Sequence, residues 1–213
     1  MPLSNVLGAQ SVIKPGVCTS STRPASPFEG QVIYETDTDL VLSYNGSSWI
    51  SVGATAGGLV LVSSTTIGSA VSSITATGAF SATYDAYKII ITGGTSTNNT
   101  NLNLQLGAVT TGYRNQLLYA SYNNTPLALG STGGSNFINV GAGNSSRLTM
   151  SVDVLNPYLA KPTTVGPASN AGVGDAGVFM GYLDGTDQFT AFTVIVQTGT
   201  ATGGEIRVYG YKN

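Results

Sequence analysis

The sequence predicts an all-β protein: a Pro-rich extended N-terminal arm and a small β-meander, followed by a jelly-roll-like β-sandwich. Three observations carry this prediction. Only 8% of the 213 residues are charged, against about a quarter in ordinary domains, so the polar surface must be built from Ser, Thr, Asn, Gln and Gly. Apolar residues alternate with polar ones at Leu102, Leu104 and Leu106 against Asn101, Asn103 and Gln105, and again at Leu148, Met150, Val152 and Val154, the period of strands wetted on one face. No window places apolar residues at helical spacing with helix formers between them. Disorder normally goes with high charge and few apolar residues, whereas 41% of this chain is hydrophobic, enough to build a core.

Residues 1–30 carry Pro2, Pro15, Pro24 and Pro27. Proline fixes φ and withdraws a backbone donor, so this stretch reads as an extended arm that docks on a partner. Residues 31–52 read as three strands, QVIYET, LVLSY and SWISV, separated by Asp37-Thr38-Asp39 and by the hairpin dipeptide Asn45-Gly46. A unit this small, with no disulfide or metal, has too little apolar surface to offset its chain entropy, so oligomerisation is expected, by preference as a homotrimer. Residues 53–58 form a Gly/Ala hinge. The sandwich occupies 59–213, with further strands at 71–80, 84–92, 116–122, 136–140, 178–183, 189–198 and 204–211. The expected total is about eight to ten strands, as in a two-sheet sandwich.

The composition closes several chemistries. There is no histidine, which removes Ser-His-Asp and Cys-His nucleophiles, His-ligated metals and the commonest general base. Cys18 is the one cysteine; it permits no intrachain disulfide and has no cationic neighbour to activate it. The carboxylate pairs Asp37 with Asp39 and Asp184 with Asp187 fall in turn sequences, where Asp side chains accept hydrogen bonds from turn amides. Asp184-Gly185-Thr186-Asp187 brings only two carboxylates, too few oxygens for Ca²⁺. No catalytic residue, metal ligand or cofactor is therefore assigned, and the chain reads as one that is not an enzyme. A net charge of −2 with scattered Lys and Arg gives no basic stripe for nucleic acid. The opening MPLSNVLGAQ has no export signal and no segment is long enough to insert in a membrane, so synthesis in the cytoplasm is expected.

Residues 23–49, RPASPFEGQVIYETDTDLVLSYNGSSW, resemble a short module of tailed-bacteriophage fibre and other virion proteins. Arg23, Pro24, Pro27 and Gly30 form its R-P-x-x-P-x-x-G opening, Asp37 and Asp39 its T-D-T turn, and Asn45, Gly46 and Trp49 its N-G-x-x-W close. AFSATYDAYKIIITG at 79–93 and EIRVYGYKN at 205–213 resemble the first and last strands of the terminal β-sandwich of such proteins. The resemblance implies a virion protein made in the bacterial host. In it the arm holds other virion proteins, the meander assembles, and the sandwich is presented toward the host surface. Exposed aromatics stack on sugar rings, which makes Tyr113, Tyr119, Tyr122 and Tyr158 candidate contacts for a host surface glycan. Two alternatives stand beside the fibre or spike reading. One is a capsid decoration or head-fibre protein that binds no receptor. The other is a polysaccharide-degrading enzyme, which would need paired acids in a groove and is typically built on a long repeat that this chain lacks.

Overall fold

The computed structural model describes residues 15–53, 58–123, 125–171 and 175–212. These residues form strands and no α-helix. The chain divides into two compact units, Met1–Ala56 and Gly57–Asn213. Residues 1–14 of the expected arm and 54–57 of the expected hinge lie outside the described residues.

The first unit is a sheet of four strands, one more than the expected meander. They are β1 (Gly16–Cys18), β2 (Val32–Glu35), β3 (Leu40–Tyr44) and β4 (Trp49–Ser51). The order is β1-β2-β3-β4, with β1 parallel to β2 and the rest antiparallel. The described half of the arm is therefore not free-standing, which corrects the sequence reading. Pro24 and Pro27 do withdraw donors, but Gly16–Cys18 has donors to give, and β2 has an edge to receive them. Beyond β1 the chain folds back: Ser20 N–H donates to Asp37 (2.9 Å), and Arg23 forms an ion pair with Glu35. One face of the sheet buries Ile33, Leu42 and the Glu35 carboxylate. The other exposes Val17, Val32, Val41 and Ile50, which the registers place on one side.

The second unit opens with β5 (Leu59–Thr66), β6 (Ser73–Ala76), β7 (Ala86–Thr92), β8 (Thr95–Ser96) and β9 (Thr100–Leu106). Next come β10 (Tyr113–Ser121), β11 (Pro126–Gly134), β12 (Phe137–Asn144), β13 (Arg147–Leu155), β14 (Thr163–Ala171) and β15 (Asp175–Leu183). It closes with β16 (Phe192–Val196), β17 (Ala201–Thr202) and β18 (Glu205–Tyr211). One sheet runs β5-β18-β7-β13-β14-β15-β10-β11 and the other β6-β16-β9-β12; β13 also pairs with β12 and so links them. Every pairing is antiparallel.

Without the hairpins β10–β11 and β14–β15, eight main strands remain, in the orders β5-β18-β7-β13 and β6-β16-β9-β12. First and last strands are neighbours and the chain winds from sheet to sheet, which is a jelly roll. The two inserted hairpins then pair through β10 and β15 and extend one sheet by four strands past β13. This extension raises the strand number above the eight to ten that the sequence predicts.

A single core joins both sheets, with Ile89, Ile91, Val152, Val154 and Val208 facing Leu102, Leu104, Leu106, Phe192 and Val194. Fully burying each such side chain contributes roughly 1.5–3 kcal/mol. Two aromatic groups brace it. Phe80 packs on Tyr87 (4.9 Å) and Phe192 (5.6 Å), while Phe137 packs edge-on against Tyr113 (4.8 Å) and Phe179 (6.1 Å) at the root of the extension. The 79–93 motif thus works as a brace. Its Tyr87 hydroxyl accepts a hydrogen bond from Ser81 N–H and donates one to the Ser81 carbonyl, both at 2.8 Å.

Candidate functional site

The residues singled out in the first unit converge on one small structure. Arg23 presents its guanidinium edge to Glu35, with Nε on Oε1 and Nη2 on Oε2 at 3.1 Å, and Thr38 Oγ1 donates to Oε2 at 2.9 Å. Hydrogen bonding from Arg23, with Thr38 and the Arg23 charge behind it, holds the Glu35 carboxyl below its ordinary range against its burial. Asp37 is likewise lowered, through the Ser20 hydroxyl and amide. The T-D-T turn therefore ties the arm to the sheet: Asp37 takes Ser20, and Asp39, at φ 56°, accepts from the Tyr34 hydroxyl. Asn45 Oδ1 accepts from the amides of Ser47 (3.0 Å) and Ser48 (2.8 Å) around Gly46 at φ 92°. Gly30, at φ 84°, donates its amide to Tyr44 (2.8 Å), whose ring lies 5.4 Å from that of half-buried Trp49. Pro24 and Pro27 lie in the bend between Arg23 and Gly30. Cys18 ends β1 half-buried.

The four candidate glycan-contact tyrosines do not form a site. Tyr113 is fully buried, and its hydroxyl accepts from Leu106 N–H (2.8 Å) and lies 3.1 Å from the Val109 carbonyl. Burial pushes its pKa up to about 12. It is a core pillar rather than a surface contact, because strand alternation turns it inward onto Phe137. Tyr119 is half-buried on the same inward side of β10, opposite Leu127. Tyr158 is half-buried against the core in the β13–β14 connection. Tyr122 is exposed, just beyond the other end of β10 from Tyr113.

An open groove among the described residues lies elsewhere, on the outer face of the extension. It has a volume of about 480 Å³ and is lined by Arg114, Gln116, Thr132, Thr164, Met180 and Tyr182, with Asn115, Ser131 and Gly181 beneath. The register of β10 against β15 sets Arg114 opposite Tyr182 and Gln116 opposite Met180. Two glycines open the space between the second pair. A Cβ on Gly130 of β11 would come within 2.5 Å of Gln116 Nε2, and one on Gly166 of β14 within 2.8 Å of Met180 Sδ. Both side chains therefore lie down over glycine, in opposite directions. The Arg114 guanidinium sits 6.0 Å from the centroid of the Tyr182 ring, which is 43% exposed. Arg23, Lys88 and Arg207 each pair with a carboxylate, but Arg114 has no carboxylate within ion-pair distance among the described residues.

No family model, curated protein or solved structure matches this chain.

Beyond the groove the same outer face turns apolar, with Leu118 opposite Val178, 67% and 55% exposed. At the uncovered end of the inner face Leu127 and Leu129 on β11 are also exposed. Asp184 and Asp187 lie in the connection from β15 to β16. Among the described residues no cluster of three or more metal-ligating side chains occurs. Sequence reading did not single out Arg114, Gln116 or Tyr182. The available signal was the outward alternation of Arg114 and Gln116 on β10; Tyr182 lies far along the chain on β15 and meets Arg114 only through the register that pairs the two strands.

Proposed function

We propose that the chain is a non-enzymatic structural component of a tailed-phage virion, a trimeric fibre or spike attached through its N-terminal arm and presenting the jelly roll for host-surface binding. The observation that carries this reading is the contrast between a small unit whose described residues expose an apolar face and a large, well-packed sandwich extended by a grooved sheet. The sheet face bearing Val17, Val32, Val41 and Ile50 is exposed among the described residues, and an exposed apolar face on a unit this small favours association. Covering it with copies of itself supports trimer assembly, and the ties of Ser20 to Asp37 and of Arg23 to Glu35 hold the chain that follows β1 against the sheet. The resemblance of residues 23–49 to a virion-protein module supports the location. The groove on the extension, with its exposed tyrosine and polar rim, supports host-surface contact through a glycan.

Two measurements test this. Light scattering of the full chain at low concentration is expected to give the mass of three copies; a stable folded monomer rejects the assembly part. Immunogold labelling of phage particles is expected to decorate the tail. Label on the shell would move the reading to capsid decoration, and particles without label would remove the virion role altogether.

A further inference from the structure

We propose that the groove between β10 and β15 is a binding site for a saccharide carrying an anionic group, a uronic-acid carboxylate or a sugar phosphate. Arg114 receives the charge, and Tyr182, Gln116, Thr132 and Thr164 hold the ring. The proposal rests on the reading of the second unit as a display domain and goes further by naming the site and the ligand class.

Four features lead to it. The first is size: about 480 Å³ is far more than a free inorganic anion fills and falls within the range of roughly 300–1,000 Å³ typical of small-molecule sites. Next is the lining, which offers hydroxyls from Thr132 and Thr164, an amide from Gln116 and an aromatic plate from Tyr182. Sugars need this mixture, because ring hydroxyls ask for donors and acceptors while the C–H face of the ring asks for an apolar or aromatic surface. Charge is the third. In a chain with only 8% charged residues, an exposed guanidinium with no carboxylate in ion-pair distance among the described residues stands out. A neighbouring tyrosine ring limits where it can swing. Guanidinium edges match carboxylate and phosphate geometry with two parallel hydrogen bonds. The fourth is that the space is built in by Gly130 and Gly166, since any Cβ there would force Gln116 or Met180 to move. One arginine in a chain of net charge −2 suits a short anionic ligand and not a polyanion.

The test is ligand-observed NMR (saturation transfer) on the full chain with four probes: glucuronate, glucose 6-phosphate, glucose and inorganic phosphate. Adherence of the same protein to phage-susceptible bacterial cells is measured alongside. Signal from glucuronate or glucose 6-phosphate, much weaker signal from glucose, and no displacement by equimolar phosphate are expected. Which of the two anionic probes binds identifies the source of the charge. Arg114→Gln is expected to weaken the anionic probe at least about tenfold, the usual consequence of losing a charge-assisted hydrogen bond, with Arg114→Lys between it and wild type. Gly130→Ala, which displaces Gln116, is expected to weaken binding with Arg114 intact, and it serves as the second variant if Arg114→Gln alters the thermal transition.

Equal binding of glucose and glucuronate overturns the anionic class, and displacement by phosphate alone overturns the saccharide. Cell adherence with no binding of either anionic probe, or adherence unchanged in Arg114→Gln, overturns the groove as the site while the display reading stands. A protein that adheres to no susceptible cells and binds no probe overturns both.

Discussion

The two units of this chain are held together by different physics. In the first, Ile33 and Leu42 are the buried apolar side chains among the described residues, and the structure around them is tied by Arg23 on Glu35, Thr38 on Glu35 and Ser20 on Asp37. In the second, a continuous apolar core runs from Ile67 to Val208 with Tyr87 and Tyr113 hydrogen-bonded inside it, and its ion pairs lie outside that core. A unit whose shape depends on charged and polar ties keeps its geometry only while those ties are ionised and partnered. One built on a large core tolerates long polar insertions at its edge, and the extension is such an insertion.

Several experiments would break or sharpen this contrast, and the largest effect is expected in the core. Phe192→Ala removes a ring packed on Phe80 and should cost about 3–5 kcal/mol. Chemical denaturation should show this loss in the second unit's transition and leave the first unit's midpoint in place.

The next effect is one of pH. Arg23 holds the Glu35 carboxyl below its ordinary range, and Ser20 does the same for Asp37. A depressed folded pKa contributes stability that is fully present above the unfolded value, about 4.3 for Glu, and is lost as pH falls through the folded value. The first unit's melting temperature should therefore fall as pH drops below about 4. The drop should exceed that of the second unit, where Glu205 is lowered by Ser64 and Arg207. Glu35→Gln should lower the melting temperature at neutral pH and flatten this acid dependence. A first unit equally stable at both pH extremes would refute the ionic account.

A smaller effect is expected at the hairpin. Asn45→Ala removes an acceptor for two turn amides and should cost about 1 kcal/mol in the first unit alone. The smallest belongs to Gly130→Ala. Its added Cβ meets the far end of the flexible Gln116 side chain, so thermal unfolding should barely change even though the groove wall moves.

How far each feature was legible follows the same division. Strands β7, β9, β13, β16 and β18 were readable because each buries alternate side chains in a two-sheet core, so the period of two is written into the residues. Strands β11 and β14 were not. PLALGSTGG and TTVGPASNA carry proline and glycine where a strand signal should be, and β11 is largely exposed. They are strands because β10 and β15 present edges to them. Tyr113 failed as a contact for a related reason: its residue type suits both a sugar and a core, and only the side of β10 it occupies decides between them.

By itself the sequence determined the all-β class, the small meander closed by Asn45-Gly46, the positions of the core strands and the absence of histidine chemistry. These are local properties, set by side-chain period, turn preference and composition. The tertiary structure alone decided the strand order within the jelly roll, the parallel β1, the four-strand extension and the groove with Arg114 opposite Tyr182. Each of these depends on which strand edges meet and in what register, and pairing across long stretches of chain is an energy no single segment contains.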